Sequence, residues 1–140
     1  MKREVLINID TDITSDGEKG TISELYKGEL MDSEKDMASY IFYKETSEDG
    51  SITDCRMIIK GRSLTLRKAG ASVTVMEFEK GHECEISYST MYGSMDFVLL
   101  TDNISVLTDG DIRLIHIEYE LKNNDTVISQ HDMRIKIRPV

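Results

Sequence analysis

The chain has 140 residues and a mass of 15.9 kDa, the size of one domain, so residues 1–140 are expected to fold as a single unit. With 39 % hydrophobic and 31 % charged residues, nine Gly and a single Pro, it is neither collagen-like, proline-rich nor a disordered tail. Its formal charge of −9 opposes polyphosphate backbones and anionic lipid surfaces, whose binding relies on Lys and Arg, so no nucleic-acid and no membrane partner is expected.

Apolar residues recur with a period of two almost throughout, the mark of strands with one face on a core. Val5, Ile7 and Ile9 alternate first, then Ile22, Tyr26 and Leu30, with Leu25 and Met31 on the opposite face. A third set is read as Ala38, Tyr40 and Phe42. Cys55, Met57 and Ile59 follow, then Leu64 and Leu66, then Thr74, Met76 and Phe78. Cys84, Ile86 and Tyr88 precede Met95, Phe97 and Leu99, and the pattern ends with Ile115, Ile117, Tyr119 and Leu121 before Met133, Ile135 and Ile137. Asp32–Asp36 offers little more than a turn of helix, with Ser33 as a cap and no apolar face.

Turn chemistry separates the runs: Asp16-Gly17, Asp49-Gly50, Gly61, Ala69-Gly70-Ala71, Lys80-Gly81, Asp109-Gly110 and Asn123-Asn124-Asp125. A reversal centred on Gly70 would pair Leu66 with Thr74 and Leu64 with Met76. One centred on Gly81 would pair Phe78 with Cys84, Met76 with Ile86 and Thr74 with Tyr88. About ten strands exceed what one flat twisted sheet usually carries, and closure removes exposed edges. The expected fold is an all-β, antiparallel up-and-down barrel of eight to ten strands, with a β-sandwich as the alternative.

Cys55 and Cys84 are too few for a disulfide framework, and Glu4, Asn8 and Asp10 interrupt the first apolar run, so no export signal is read there. The expected compartment is the cytoplasm, with both thiols reduced.

Several short motifs follow one another in a fixed order, beginning with Val5-Leu6-Ile7-Asn8-Ile9, Tyr26-x-Gly28-x-Leu30 and Tyr40-Ile41-Phe42-Tyr43. They continue as Leu64-x-Leu66-Arg67-Lys68-x-Gly70, Met76-x-Phe78-x-x-Gly81, Tyr88-x-Thr90-Met91-Tyr92-Gly93-Ser94 and Ile117-x-Tyr119-x-Leu121. In this order they resemble the YwiB-like family of uncharacterised bacterial proteins. The resemblance spans nearly the whole chain and implies a domain of unknown function with a calycin-type, lipocalin-like β-barrel. Met91 stands where the family often has Pro, which leaves that turn less rigid.

Tyr88, Thr90 and Tyr92 share one parity and would set three hydroxyls near a barrel mouth, beside a glycine that permits close approach. They are the first candidate ligand-binding residues, weighed against simple packing of a barrel end. Arg67 is the second, a guanidinium suited to a carboxylate or phosphate. Alternation turns it to the face opposite Leu64 and Leu66, and Arg56, Lys60 and Arg62 share one parity nearby, so a solvated basic stripe is the plainer account.

His82 and Cys84 share a face, but no second pair at metal-ligand spacing accompanies them, so no metal is expected. No nucleophile elbow, phosphate-binding glycine loop or dinucleotide fingerprint occurs, and no catalytic residue or cofactor is assigned. Three functions stay open. The first is binding of a small apolar or amphipathic ligand in or at the mouth of the barrel. The second is a protein-interaction module with an acidic surface and a filled interior, and the third is an enzyme using the mouth. The amount of empty space inside the barrel separates the first two. Strand edges left open would pair in a homodimer.

Overall fold

A computed structural model of the chain describes residues 2–90 and 93–140, and of residues 88–90 the backbone alone. Ten antiparallel strands account for nearly all of it: β1 (Lys2–Ser15), β2 (Glu18–Ser33), β3 (Ala38–Thr46), β4 (Ile52–Lys60), β5 (Ser63–Ala69), β6 (Val73–Phe78), β7 (Glu83–Thr90), β8 (Gly93–Asp109), β9 (Ile112–Asn123) and β10 (Thr126–Pro139). They form one sheet in the order β6-β5-β4-β3-β2-β1-β10-β9-β8-β7. Each strand lies beside its sequence neighbour except at one seam, and the first strand pairs with the last. The expected up-and-down barrel is therefore present and nearly closed, and no helix occurs among the described residues. No helix long and apolar enough to cross a membrane occurs among the described residues.

The turns carry the backbone geometry their residues favour. Asp16 and Gly17 both take positive φ (51° and 77°), as do Asn124 and Asp125 (50° and 64°), which matches a two-residue hairpin turn to the right-handed twist of the strands. Asp32–Asp36 holds no helix. Residues 34–37 form a turn that ends at Met37 with φ 52°.

The inward rows are those of the alternation in nine strands. Ile7, Met57, Leu64, Leu99 and Ile117 are wholly buried, with Ile135, Ile137 and Phe78 nearly so. The exception is β3, where Ala38 is buried as expected but the parity of the two aromatic positions is opposite to that expected. Ile41 (0 % exposed) and Tyr43 (3 %) face the core, while Tyr40 and Phe42 face outward. Both faces of this strand carry large apolar side chains, so period alone does not choose between them.

Two hairpin registers also differ. β5 and β6 pair Leu64 with Phe78 and Leu66 with Met76, so the reversal centres on residue 71; parity survives the shift of two residues. The reversal at Gly81 makes no ladder between β6 and β7. The turn bonds instead to β8, with Gly81 N–H donating to Thr101 O at 2.8 Å and Thr101 N–H to His82 O at 3.2 Å. Thr101 lies where the β8–β9 register slips between Thr101 and Asn103, and the bulge presents the backbone that the turn uses. The seam between β6 and β7 is thus closed by a turn rather than by strand pairing.

A second opening lies between β2 and β3. Their ladder runs from Ser33–Ala38 only as far as Glu29–Phe42, although β2 begins at Glu18 and β3 continues to Thr46. The strands part at Gly28. A methyl group there would strike the Phe42 carbonyl oxygen and come within 3.0 Å of Ile7 Cδ1, so the crossing needs glycine. At the opposite end of the barrel, Arg113 of β9 donates two hydrogen bonds to Asp32 (2.9 and 3.0 Å) and one to Ser39, and Arg3 of β1 bonds the same carboxylate at 2.8 Å. This cluster ties β9 to β2 and β3.

Candidate functional site

The interior is filled by aliphatic side chains along most of its length but not at the end where the β1–β2, β3–β4, β5–β6 and β9–β10 turns lie. There the inward rows turn polar. Ile7–Ile9 continues as Thr11, Ile41–Tyr43 as Glu45, Leu64–Leu66 as Lys68, and Ile137–Ile135–Met133 ends at His131. On β2, Ile22 and Glu24 share the inward parity. These side chains surround a cavity of about 200 Å³, whose floor includes Ile9, Met57, Leu66 and Phe78.

Lys68 Nζ and Glu45 Oε1 form an ion pair at 2.7 Å, both half-buried. Burial works against the Lys68 charge, but the hydrogen bond and negative charge of Glu45 outweigh it and raise the lysine's pKa. The lysine is therefore held as the cation of this pair. Tyr26 donates to Glu24, and burial followed by that bond raises the Tyr26 hydroxyl. Its ring lies 4.7 Å from that of Tyr43.

Tyr43 is the more unusual group. Its hydroxyl is buried and meets no hydrogen-bond partner among the described residues. Desolvation, with Cys55 and Glu45 nearby, raises its pKa well above the tyrosine range, so it remains an O–H donor. Burial likewise pushes the Cys55 thiol up to about 11. His131 stacks on Tyr119 at 4.5 Å, shares a 2.8 Å hydrogen bond with Ser129, and is held below its ordinary pKa by desolvation. The cavity end thus gathers the side chains of Glu24, Glu45, Lys68, Thr11, Tyr43 and His131.

Arg67 lies on the other side of the sheet, in an outer groove of about 570 Å³ over the place where β2 and β3 part. The β5 register is continuous, so alternation turns Arg67 outward as expected. The structure does not bring it together with the cavity. Tyr92 lies outside the described residues, as do the side chains of Tyr88 and Thr90. Their backbones pair Tyr88 with Met95 and Thr90 with Gly93 at the ends of β7 and β8.

The polar cavity set went unread in the sequence, although a signal for it existed. Each member continues an apolar row with correct parity, and all lie on the strand ends toward one set of turns. Among the described residues no group of three or more His, Cys, Asp or Glu side chains could hold a metal ion.

Residues 7–135 match the family model described as "Domain of unknown function (DUF1934)". The crystal structure of the YwiB protein from Bacillus subtilis is similar over 99 % of this chain and 93 % of that one, with a TM-score of 0.84 and 17 % sequence identity. At that identity the likeness concerns the fold. No curated protein matches.

Proposed function

Taking as premise that the chain belongs to the DUF1934 family, whose activity is undefined, we propose that its barrel binds a small amphipathic molecule in the polar-ended cavity. The observation that carries this reading is the placement of Glu24, Glu45 and Lys68 on inward rows. Even partial removal of a charge from water is unfavourable, and a barrel end that only needed filling would use aliphatic residues at these positions. A cavity of about 200 Å³ suits a ligand somewhat larger than the benzene held by an engineered apolar cavity of roughly 150 Å³. Its apolar part would rest on Met57, Leu66 and Phe78. An oxygen-bearing head would accept from the Lys68 ammonium and from the unmet Tyr43 hydroxyl.

An up-and-down barrel with its pocket at one end supports a calycin-type, lipocalin-like reading of the fold. The two free thiols support a reducing, cytoplasmic setting.

Native mass spectrometry of the protein purified from its own cells tests the reading. The expected result is a mass increment that survives gentle spraying and disappears under denaturing conditions. A bare mass in both, together with a thermal midpoint unmoved by a panel of small amphipaths, overturns it in favour of a filled scaffold.

A further inference from the structure

The outer groove stands against the charge of the molecule around it. In a chain of net charge −9, its lining carries four basic side chains (Lys27, Lys44, Arg56, Arg67) against three acidic ones (Glu4, Glu29, Asp54). Two basic groups are already engaged, Lys27 with Glu4 and Lys44 with Asp54, each at 3.7 Å. Arg56 and Arg67 are not. They sit directly opposite each other on β4 and β5, and neither has an ion pair or a side-chain hydrogen bond among the described residues. Like charges set directly opposite on a sheet repel, and nothing in the fold requires guanidinium at either position. An anion held between them would remove that repulsion and fill the planar donor forks of both.

The register extends the row. Arg56 faces Phe42 on β3, and Phe42 faces Glu29 on β2, which in turn faces Glu4 on β1. Across the outer face the groove thus runs from two guanidiniums, over an aromatic ring, to two carboxylates. Lys2 rests its ammonium over the Phe42 ring at 5.0 Å and adds a further cation at the rim. The carboxylates at the far end repel a continuous polyanion such as nucleic acid, while leaving room for one discrete anionic group. Two adjacent guanidiniums suit a group of charge near −2 better than one of charge −1, and Phe42 offers apolar surface beside it.

We propose that the groove over the β2–β3 parting binds a small phosphate monoester, with the phosphate between Arg56 and Arg67 and a flat apolar body against Phe42. The guanidiniums and the Phe42 ring lie on the outer face, and of the groove's lining only Tyr43 also lines the interior cavity.

Titration of the whole protein with phenyl phosphate, inorganic phosphate and benzoate, followed by amide chemical shifts, tests the proposal. Phenyl phosphate should bind saturably and shift residues 27–29, 42–44, 54–56 and 67. Its affinity should exceed that of inorganic phosphate or benzoate at least threefold. Arg67→Ala and Arg56→Ala should each weaken it at least tenfold, Phe42→Ala should abolish the advantage over inorganic phosphate, and Arg67→Lys should retain part of the affinity. These side chains face outward, and unchanged thermal midpoints would show that the variants fold. Absence of saturation at millimolar phenyl phosphate, affinity indifferent to the arginine substitutions, or shifts confined to Lys68, Tyr119 and His131 on the inner face would each overturn it.

Discussion

Lys68 Nζ lies 2.7 Å from Glu45 Oε1 on the inner wall of the barrel, and the pair reaches across an intervening strand. Lys68 is opposite Cys55 on β4, and Cys55 is opposite Tyr43 on β3, two residues before Glu45. The ion pair therefore couples three strands at the end where the cavity opens. Removing one partner leaves a charge in a half-desolvated place. Lys68→Met should cost about 1–2 kcal/mol, below the roughly 3–5 kcal/mol seen when fully buried pairs are broken. The double variant Lys68→Met/Glu45→Gln should recover most of that loss. Urea unfolding of the four proteins gives the coupling directly, and independent, additive effects would mean the pair is a surface contact in solution.

Tyr43 and Thr101 both bury a hydroxyl that meets no hydrogen-bond partner among the described residues. Deleting such a group removes a desolvated donor without breaking a bond. Tyr43→Phe and Thr101→Val should each leave the ligand-free protein as stable or more stable, by up to about 1 kcal/mol. The two differ in consequence. Only Tyr43 lines the cavity, so Tyr43→Phe should also reduce retention of the small molecule, whereas Thr101→Val should not. Chemical denaturation and native mass spectrometry on the same samples separate the two effects.

Much of the fold was legible because most strands are amphipathic in the plainest sense. In β1, β4, β9 and β10 one parity is mainly apolar and the other mainly polar, and a slip of one residue would expose most of a buried row. β3 was not legible, since Tyr40-Ile41-Phe42-Tyr43 is apolar on both faces and its orientation is set by what β2 and β4 present to it. The β6–β7 seam was hidden for another reason. Gly81 has the chemistry of a hairpin turn and takes φ 78°, but the partner that claims its N–H is Thr101, exposed by a bulge no local pattern announces. At the candidate sites, Arg67's outward direction followed from alternation. Its pairing with Arg56 required the β4–β5 register, and the cavity's ionised groups required knowing that five rows end at the same rim.

Gly28 marks the point where β2 leaves β3. A Cβ there would collide with the Phe42 carbonyl oxygen and crowd Ile7 Cδ1 and Tyr43 Cβ (3.0 and 3.1 Å). Backbone cannot yield as a long side chain can, so Gly28→Ala should destabilise the barrel by about 2–3 kcal/mol, the upper part of the range for overpacking. By contrast Gly20→Ala, on the same strand with open space around it, should be neutral within about 0.5 kcal/mol. Equal effects at the two positions would mean that the strands do not part at Gly28.

The two thiols should differ sharply in reactivity. Cys55 is 3 % exposed, and burial lifts its pKa to about 11, so at neutral pH almost none of it is the reactive thiolate. Cys84 is half-buried at the β6–β7 seam. An aromatic disulfide reagent at pH 8 should label one thiol quickly and the second at least tenfold more slowly, and Cys84→Ser should remove the fast phase. A fast phase that survives in Cys84→Ser would show that the cavity end opens readily.

Acid should lower the protein's stability over two separable pH ranges, because two groups bind protons less readily when folded. His131 is desolvated against Tyr119 and held below its ordinary 6.5. Its folded pKa is the depressed one, so the unfolded chain takes up the proton first as pH falls. Stability present above about pH 6.5 is lost as pH drops toward the folded value. Asp32 follows at lower pH. Burial alone would raise it, but hydrogen bonds from Ser39 and Arg113 and the charges of Arg113 and Arg3 hold it below its ordinary 3.8. Its contribution is complete above that value and disappears as pH falls through the folded one. His131→Gln should flatten the upper step and leave the lower. Asp32→Asn should do the reverse and also lower stability at pH 7, where Arg3 and Arg113 lose their shared anion. Stability measured by urea unfolding at half-unit intervals from pH 8 to 3 resolves the steps; an upper step that persists in His131→Gln would assign it to another group.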